Sequence, residues 1–172
     1  MQPKIIERFV DEHGAVVGNV LDLGCGTGIA AERLKTLKNR FDGVDVAENM
    51  IKLARAKGVY QNLYVADIET FLQEHTLQSY DLVLAFDVFC YFGDLRTVLA
   101  ALKGKEIWFS AEAGDDERAQ DYYPTQSGRY KHKRAYIETV LKDLGFNIIR
   151  IFELQIRQEN GADVKGFLVK AQ

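Results

Sequence analysis

The sequence predicts an α/β domain built on a mostly parallel sheet, with helices on both faces and an antiparallel pair of strands at one edge. Three observations carry that reading. Short apolar runs alternate with helical patterns through most of the chain, the first run feeds a glycine-rich turn that opens a helix, and the last two runs flank a turn at Asn160–Gly161. With 172 residues, 47% of them apolar and 27% charged, residues 1–172 have the size of one domain.

The elements follow in order. Asn19–Gly24 reads as a buried strand and Ile29–Leu37 as a helix, since Ile29, Ala30, Leu34 and Leu37 recur at helical spacing. Arg40–Val46 is a second strand and Glu48–Lys57 a second helix, with Gly58 as its C-cap. Leu63–Ala66, a helical segment over Glu69–Glu74, the strand Tyr80–Phe86, the helix Asp94–Leu102 and the strand Lys105–Ala111 continue the alternation. Glu112–Gly128 is polar and shows no sustained period, which predicts a long surface loop; with Arg129 it forms the expected active-site loop, residues 112–129. A helix over Tyr130–Leu144 places Ile137, Val140, Leu141 and Leu144 on one face and ends at Gly145, and the strands Phe146–Leu154 and Val164–Lys170 close the domain. Residues 1–18, ahead of the first strand, are expected to form a short lid or cap.

Composition narrows the function. The 22 Lys and Arg against 25 Asp and Glu give a charge of −3, without the basic footprint of a protein that grips nucleic acid. No apolar run approaches the ~20 residues of a membrane span, and MQPKIIERFVDEH is too charged for a signal peptide, so a cytoplasmic protein without membrane or nucleic-acid partners is expected. Cys25 and Cys90 lack CxxC spacing, which suits a reducing compartment, and no metal-ligand spacing is present. Nothing in the sequence sets the oligomeric state.

Ligands of open parallel sheets bind at the carboxyl ends of the strands, beside the first one. Leu21–Gly28 (LDLGCGTG) lies there, and its glycines let the backbone turn tightly and let a ligand approach closely. Asp45 ends the second strand, where a carboxylate can accept hydrogen bonds from both hydroxyls of a ribose, and Asp67 closes the third. Asp22, Asp45 and Asp67 therefore gather with the glycines at neighbouring strand ends.

Four motifs, LDLGCGTG, GVDVAENM (Gly43–Met50), VADIE (Val65–Glu69) and YDLVLAFDVFCYFGDL (Tyr80–Leu95), resemble in order and spacing those of the class I S-adenosylmethionine-dependent methyltransferases. The resemblance covers about Gly18 to Lys170. It implies a Rossmann-like seven-stranded sheet of order 3-2-1-4-5-7-6 with strand 7 antiparallel, and S-adenosylmethionine as the cofactor, released as S-adenosylhomocysteine. It further implies that Gly24, Cys25, Gly26 and Gly28 admit the methionine part, with Asp22 near its amino group. Asp45 would take the ribose, Val46 and Met50 the adenine face, Asp67 and Ile68 its edge, and Phe86, Asp87 and Val88 would border the sulfonium. The glycine spacing departs from the GxGxxG of dinucleotide dehydrogenases, which disfavours a nicotinamide cofactor. FDVFCYFGDL with Ser127–His132 and Tyr136 is similar to a bacterial group often fused to tetratricopeptide repeats, although no repeat is visible here.

Methyl transfer needs alignment and exclusion of water, and a general base only when the acceptor is protonated and weakly acidic. Tyr91, expected to face the pocket, joins Glu112, Arg129 and His132 as catalytic candidates. Glu112, at the end of the fifth strand, either accepts a proton or holds a cationic acceptor, or it is a solvated loop carboxylate. Arg129 and His132, at the start of the last helix, are placed to bind a carboxylate or phosphate, with His132 turned from the apolar face towards solvent. Tyr122 and Tyr123 are a lid or loop anchors, and RYKHKR is a solvated basic face. Two functions follow: a methyltransferase acting on a small molecule, or a non-catalytic cofactor-binding partner subunit.

Overall fold

The computed structural model describes residues 3–159 and 161–172. In chain order the elements are α1 (Pro3–His13), β1 (Gly18–Leu23), α2 (Ile29–Leu34), β2 (Asn39–Asp45), α3 (Glu48–Ala56), β3 (Tyr60–Val65), α4 (Ile68–Glu74) and β4 (Leu82–Ala85). A 3-10 turn at Phe89–Tyr91 leads to α5 (Arg96–Ala101), β5 (Glu106–Ala113), β6 (Tyr122–Pro124), β7 (Tyr130–His132), α6 (Arg134–Asp143), β8 (Ile148–Glu159) and β9 (Ala162–Ala171). Asn160, half of the expected final turn, lies outside the described residues, as do Met1 and Gln2 of the expected cap.

The strands β3, β2, β1, β4 and β5 pair in that order and in parallel, β9 runs antiparallel along β5 from Ile107↔Ala171 to Glu112↔Gly166, and β8 pairs antiparallel with β9. This is the predicted order, with the last two strands renumbered by two short insertions. Side chains alternate across the strands and so feed two cores. Leu21, Leu23, Val83 and Ala85 point to one face and pack with Phe71, Val98, Leu99, Ile137 and Val140 of α4, α5 and α6. Val20, Leu82, Leu84 and Trp108 point to the other, against Ala30, Ala31 and Leu34 of α2.

The structure corrects three expectations. The first concerns residues 1–18: α1 buries Ile5, Ile6 and Phe9 in the second core, Phe9 standing edge-on to Trp108 at 4.9 Å. It covers the sheet face. With two or three apolar side chains each sequestered for about 1.5–3 kcal/mol, it is better spent there than over a wet cleft. The second concerns residues 112–129, which are not simply a loop. β5 continues through Glu112 to Ala113, β7 pairs parallel with that extension (Glu112↔Lys131, Ala113↔His132), and β6 pairs antiparallel with β7. Thr125 and Gly128 close this hairpin, Gly128 at φ +78. Third, the last helix starts at Arg134, so Arg129 and His132 sit on the hairpin and not on the helix. Three-residue strands offer too little alternation to reveal themselves.

Candidate active site

Where β1 ends, the chain turns through Gly24, Gly26 and Gly28 at φ +67, +54 and +79, a region side chains rarely adopt. A Cβ on Gly24 would stand 2.4 Å from Val88 Cγ2, whereas one on Gly26 would meet nothing within 4 Å. The loop is thus packed on one side and open on the other, and the open side is the wall of a cavity of about 700 Å3. That is the size of a cofactor pocket. Gly24, Cys25 and Gly26 line it after β1, Asp45, Val46 and Met50 after β2, Asp67 and Ile68 after β3, and Phe86, Asp87, Val88 and Tyr91 after β4.

Asp45 fixes the loop against β2. Its Oδ2 accepts from Gly26 N at 2.9 Å and its Oδ1 from Ala47 N at 2.8 Å, and a carboxylate with about four lone-pair directions has capacity left for two hydroxyls. Val46 and Met50 beside it remain 72% and 41% exposed, an apolar wall suited to a flat heterocycle. Asp67 has a structural duty the sequence reading missed. It N-caps α4, accepting from Glu69 N at 2.9 Å and Thr70 N at 3.1 Å, while still facing the cavity. An Asp just ahead of a helical segment is the signal that could have shown it.

Asp22 and Gly28 stand behind the wall and not in it. Asp22 is fully buried, accepts the Tyr60 hydroxyl at 2.7 Å and leaves Oδ1 without a partner. Burial pushes its carboxyl up to about 7, against the Tyr60 hydrogen bond that lowers it. Gly28 abuts Tyr60, whose Cε2 would be 2.9 Å from an added Cβ. Burial likewise raises the thiols of Cys25 and Cys90, which stay protonated and serve as packing.

The raised Asp22 pKa has a consequence for stability. Below about pH 4 both folded and unfolded chains hold the proton; between the ordinary 3.8 and about 7 only the folded chain does, so the stabilisation from this group declines as pH rises and is gone above about 7. Asn is neutral throughout. The Tm of Asp22→Asn relative to the parent is expected to climb by roughly 5 °C or more between about pH 4 and pH 8, then level off. A pH-independent gap in thermal melts would contradict it.

Past the end of β4, four candidates meet unequally. Asp87, held at φ +57 with its N–H donated to Ser110 Oγ at 2.7 Å, and Tyr91 both line the cavity. Arg129 reaches them from the hairpin, donating through Nη2 to Asp87, through Nη1 to the Tyr91 hydroxyl at 3.0 Å and through Nε to Glu112 Oε1 at 2.5 Å. Glu112, 1% exposed, is no solvated loop carboxylate, and Arg157 of β8 donates to the same Oε1. Arg157 escaped the sequence reading because the strand was expected to end at Leu154. His132 is brought close but not in. Instead of facing solvent it is fully buried, with Nε2 2.9 Å from the Gly93 carbonyl and its pKa lowered by burial. Tyr122 and Tyr123 are anchors: Tyr122 packs on Tyr136 at 5.2 Å, and the Tyr123 hydroxyl accepts from Asp115 N at 2.9 Å. Among the described residues no group of three or more His, Cys, Asp or Glu is placed to hold a metal, and no helix is long and apolar enough to cross a membrane.

Known proteins share the fold. A Leishmania major S-adenosylmethionine-dependent methyltransferase superposes with a TM-score of 0.77 at 14% identity, over 98% of this chain and 70% of that one. Magnesium protoporphyrin IX methyltransferase from Synechocystis PCC 6803, solved with S-adenosylmethionine bound, gives 0.68 at 19% identity over 97% and 76%. The fold is therefore the Rossmann-like methyltransferase fold, with a mixed sheet flanked by helices. Within that class, residues 21–104 match the family model described as a methyltransferase domain. The malonyl-[acyl-carrier protein] O-methyltransferase of Bacillus anthracis is 36% identical over 87 residues, 48% of this chain and 31% of that protein. The ubiquinone biosynthesis O-methyltransferase of Hahella chejuensis is 30% identical over 111 residues, 59% of this chain and 47% of that protein. The chain thus spans about a third to a half of the length of these curated relatives. Family model and relatives thus make residues 21–104 similar to methyltransferase domains, and the neighbours share the fold. The matched segment holds the cavity residues from Gly24 to Tyr91; Glu112, Arg129, His132 and Arg157 lie outside it.

Proposed function

We infer that the protein transfers a methyl group from S-adenosylmethionine to an oxygen of a small molecule and releases S-adenosylhomocysteine. One observation carries the inference: a single cavity brings together the Asp45 carboxylate, the open face of Gly26 and the Asp87–Tyr91 turn, surfaces suited respectively to a nucleoside, a methionine chain and an acceptor. The cofactor, when bound, supplies a methyl carbon activated by positive sulfur. Asp45 would hold the ribose, Val46 and Met50 the adenine, Asp67 and Ile68 its edge, and Gly24 and Gly26 the methionine chain. Asp22 acts at one remove, through the glycine loop that it underlies. Phe86 and Val88 line the cavity where they would keep water from the reacting carbon, and alignment there would be the main work the protein has to do. Oxygen as the acceptor atom rests on the names of the curated relatives, both O-methyltransferases. The FDVFCYFGDL run keeps the bacterial tetratricopeptide-fused group as the sub-family proposed.

S-adenosylhomocysteine release on a panel of hydroxyl and carboxyl acceptors tests this reading. Turnover with any of them separates transfer from cofactor binding alone; cofactor binding without turnover on the whole panel would favour the non-catalytic reading. The glycines give a sharper check. Gly26→Ala is expected to weaken cofactor binding by about tenfold or more, because its methyl enters the open cavity, and to destabilise the fold by only about 1–2 kcal/mol for the left-handed backbone. Gly24→Ala, whose methyl drives into Val88, should lose more stability than Gly26→Ala. The reverse ranking in thermal melts would refute the assignment of the two faces.

A further inference from the structure

The cavity ends on a charged cluster that cofactor binding leaves unused. The side chains of Arg129 and Arg157 are each 14% exposed and share one acceptor, Glu112 Oε1. The donor edges of the Arg129 fork meet two carboxylates, Glu112 and Asp87, and one neutral phenol, Tyr91. Tyr91, 61% exposed, and Asp87 both line the cavity, and of these two cavity-side partners of Arg129 the neutral phenol is the weaker.

Charge decides what belongs there. At this end Arg129 and Arg157 balance Glu112 and Asp87, while Asp45, Asp67 and Glu69 line the cavity after β2 and β3 where the nucleoside is placed, and the sulfonium of S-adenosylmethionine would bring a positive charge beside the balanced cluster. A cationic acceptor would add to cations that cannot shed their protons, whereas an anion neutralises the excess. Exchanging the Tyr91 hydroxyl for a carboxylate oxygen also turns a neutral hydrogen bond into a charge-assisted one, roughly twice as strong.

Proton accounting agrees. His132 is fully buried with Nε2 held at the Gly93 carbonyl, and Asp87 and Glu112 are tied to arginine. Among these groups none is poised to take a proton from a weakly acidic hydroxyl. A carboxylate, already ionised near neutral pH, asks for no base.

We propose that the acceptor is a carboxylate held by Arg129 at the edge now bonded to the Tyr91 hydroxyl, and that the product is a methyl ester. A carboxylate oxygen attacks the methyl carbon; the new C–O bond forms as the C–S bond breaks, the bonding pair returns to sulfur and no proton moves. The proposal rests on the methyltransferase reading given above.

The test uses the intact protein, methyl-labelled S-adenosylmethionine and two sets of acceptors: benzoate, cinnamate, octanoate and succinate against phenol, catechol and octanol. Mild alkali releases methanol from methyl esters and leaves ethers intact. The expected result is alkali-labile product from at least one acid, with kcat/KM level from about pH 6 to about pH 9. Arg129→Gln should raise KM for that acid by about 30-fold while cofactor affinity stays within about threefold, and Arg129→Lys should recover part of the loss. Calorimetric binding of the same acid in the presence of S-adenosylhomocysteine should weaken by a similar factor in Arg129→Gln. Alkali-stable methylation of the hydroxyl acceptors, an unchanged KM in Arg129→Gln, or cofactor binding with no ester from any acid would overturn the carboxylate inference alone. Failure to bind the cofactor would overturn the parent reading with it.

Discussion

Replacing Glu112 with glutamine is expected to lower the unfolding free energy by about 3–5 kcal/mol, and Tm by roughly 10 °C. Glu112 is 1% exposed and its Oε1 serves two guanidinium groups that are themselves largely out of water. Glutamine keeps the shape and one carbonyl acceptor but removes the charge, leaving two arginines side by side around a neutral group. The loss comes from the removed counter-charge and not from lost volume, which is testable as such. Adding Arg157→Gln to Glu112→Gln should return part of the stability, with a coupling of about 1–3 kcal/mol in a double-mutant cycle from denaturant melts. Additive losses, or a Glu112→Gln effect below about 1 kcal/mol, would mean that Glu112 is not the counter-ion that holds the cluster.

Asp45→Ala should weaken S-adenosylmethionine binding by about 3 kcal/mol, or roughly 150-fold. Two terms add. The variant loses the carboxylate that would hold the ribose, and it frees Gly26 N and Ala47 N, which Asp45 now holds at 2.9 and 2.8 Å, so the glycine loop loses its tether to β2. Asp45→Asn retains one acceptor oxygen and should fall between the parent and the alanine variant. Calorimetry on all three, with melting curves to confirm folding, gives the ranking. Equal affinity in Asp45→Ala and the parent would remove Asp45 from the cofactor site.

How much of this was legible in the sequence depends on how local the signal is. The parallel sheet and its order follow from apolar alternation, because β1, β4 and β5 lie between two helix layers and read as nearly continuous apolar runs. The side proposed for the cofactor was legible for a related reason: its residues sit within a few positions of a strand end, so Asp45, Asp67 and Asp87 fall into one cavity once the strand order is known. Even there the reading erred on depth, since Asp22 is one residue inside β1 and therefore under the loop.

The side proposed for the acceptor is different in kind. Arg129 and Glu112 are 17 positions apart, and Arg157 and Glu112 are 45 apart on separate strands. No period links them. His132 was assigned a helical direction, but it occupies β7, where pairing with Ala113 turns its ring inward beside Tyr136. α1 shows the same limit: a short amphipathic segment is compatible with a lid or with a sheet-covering helix, and only the apolar face formed by Trp108 and Phe86 decides between them.

Everything proposed about chemistry depends on the cavity accepting the cofactor. Titration of the intact, folded protein with S-adenosylmethionine and with S-adenosylhomocysteine in a calorimeter measures that directly. Saturable one-to-one binding of both is expected, with Kd on the order of micromolar. No heat of binding from either compound at about 1 mM, with the protein shown to be folded, would contradict it.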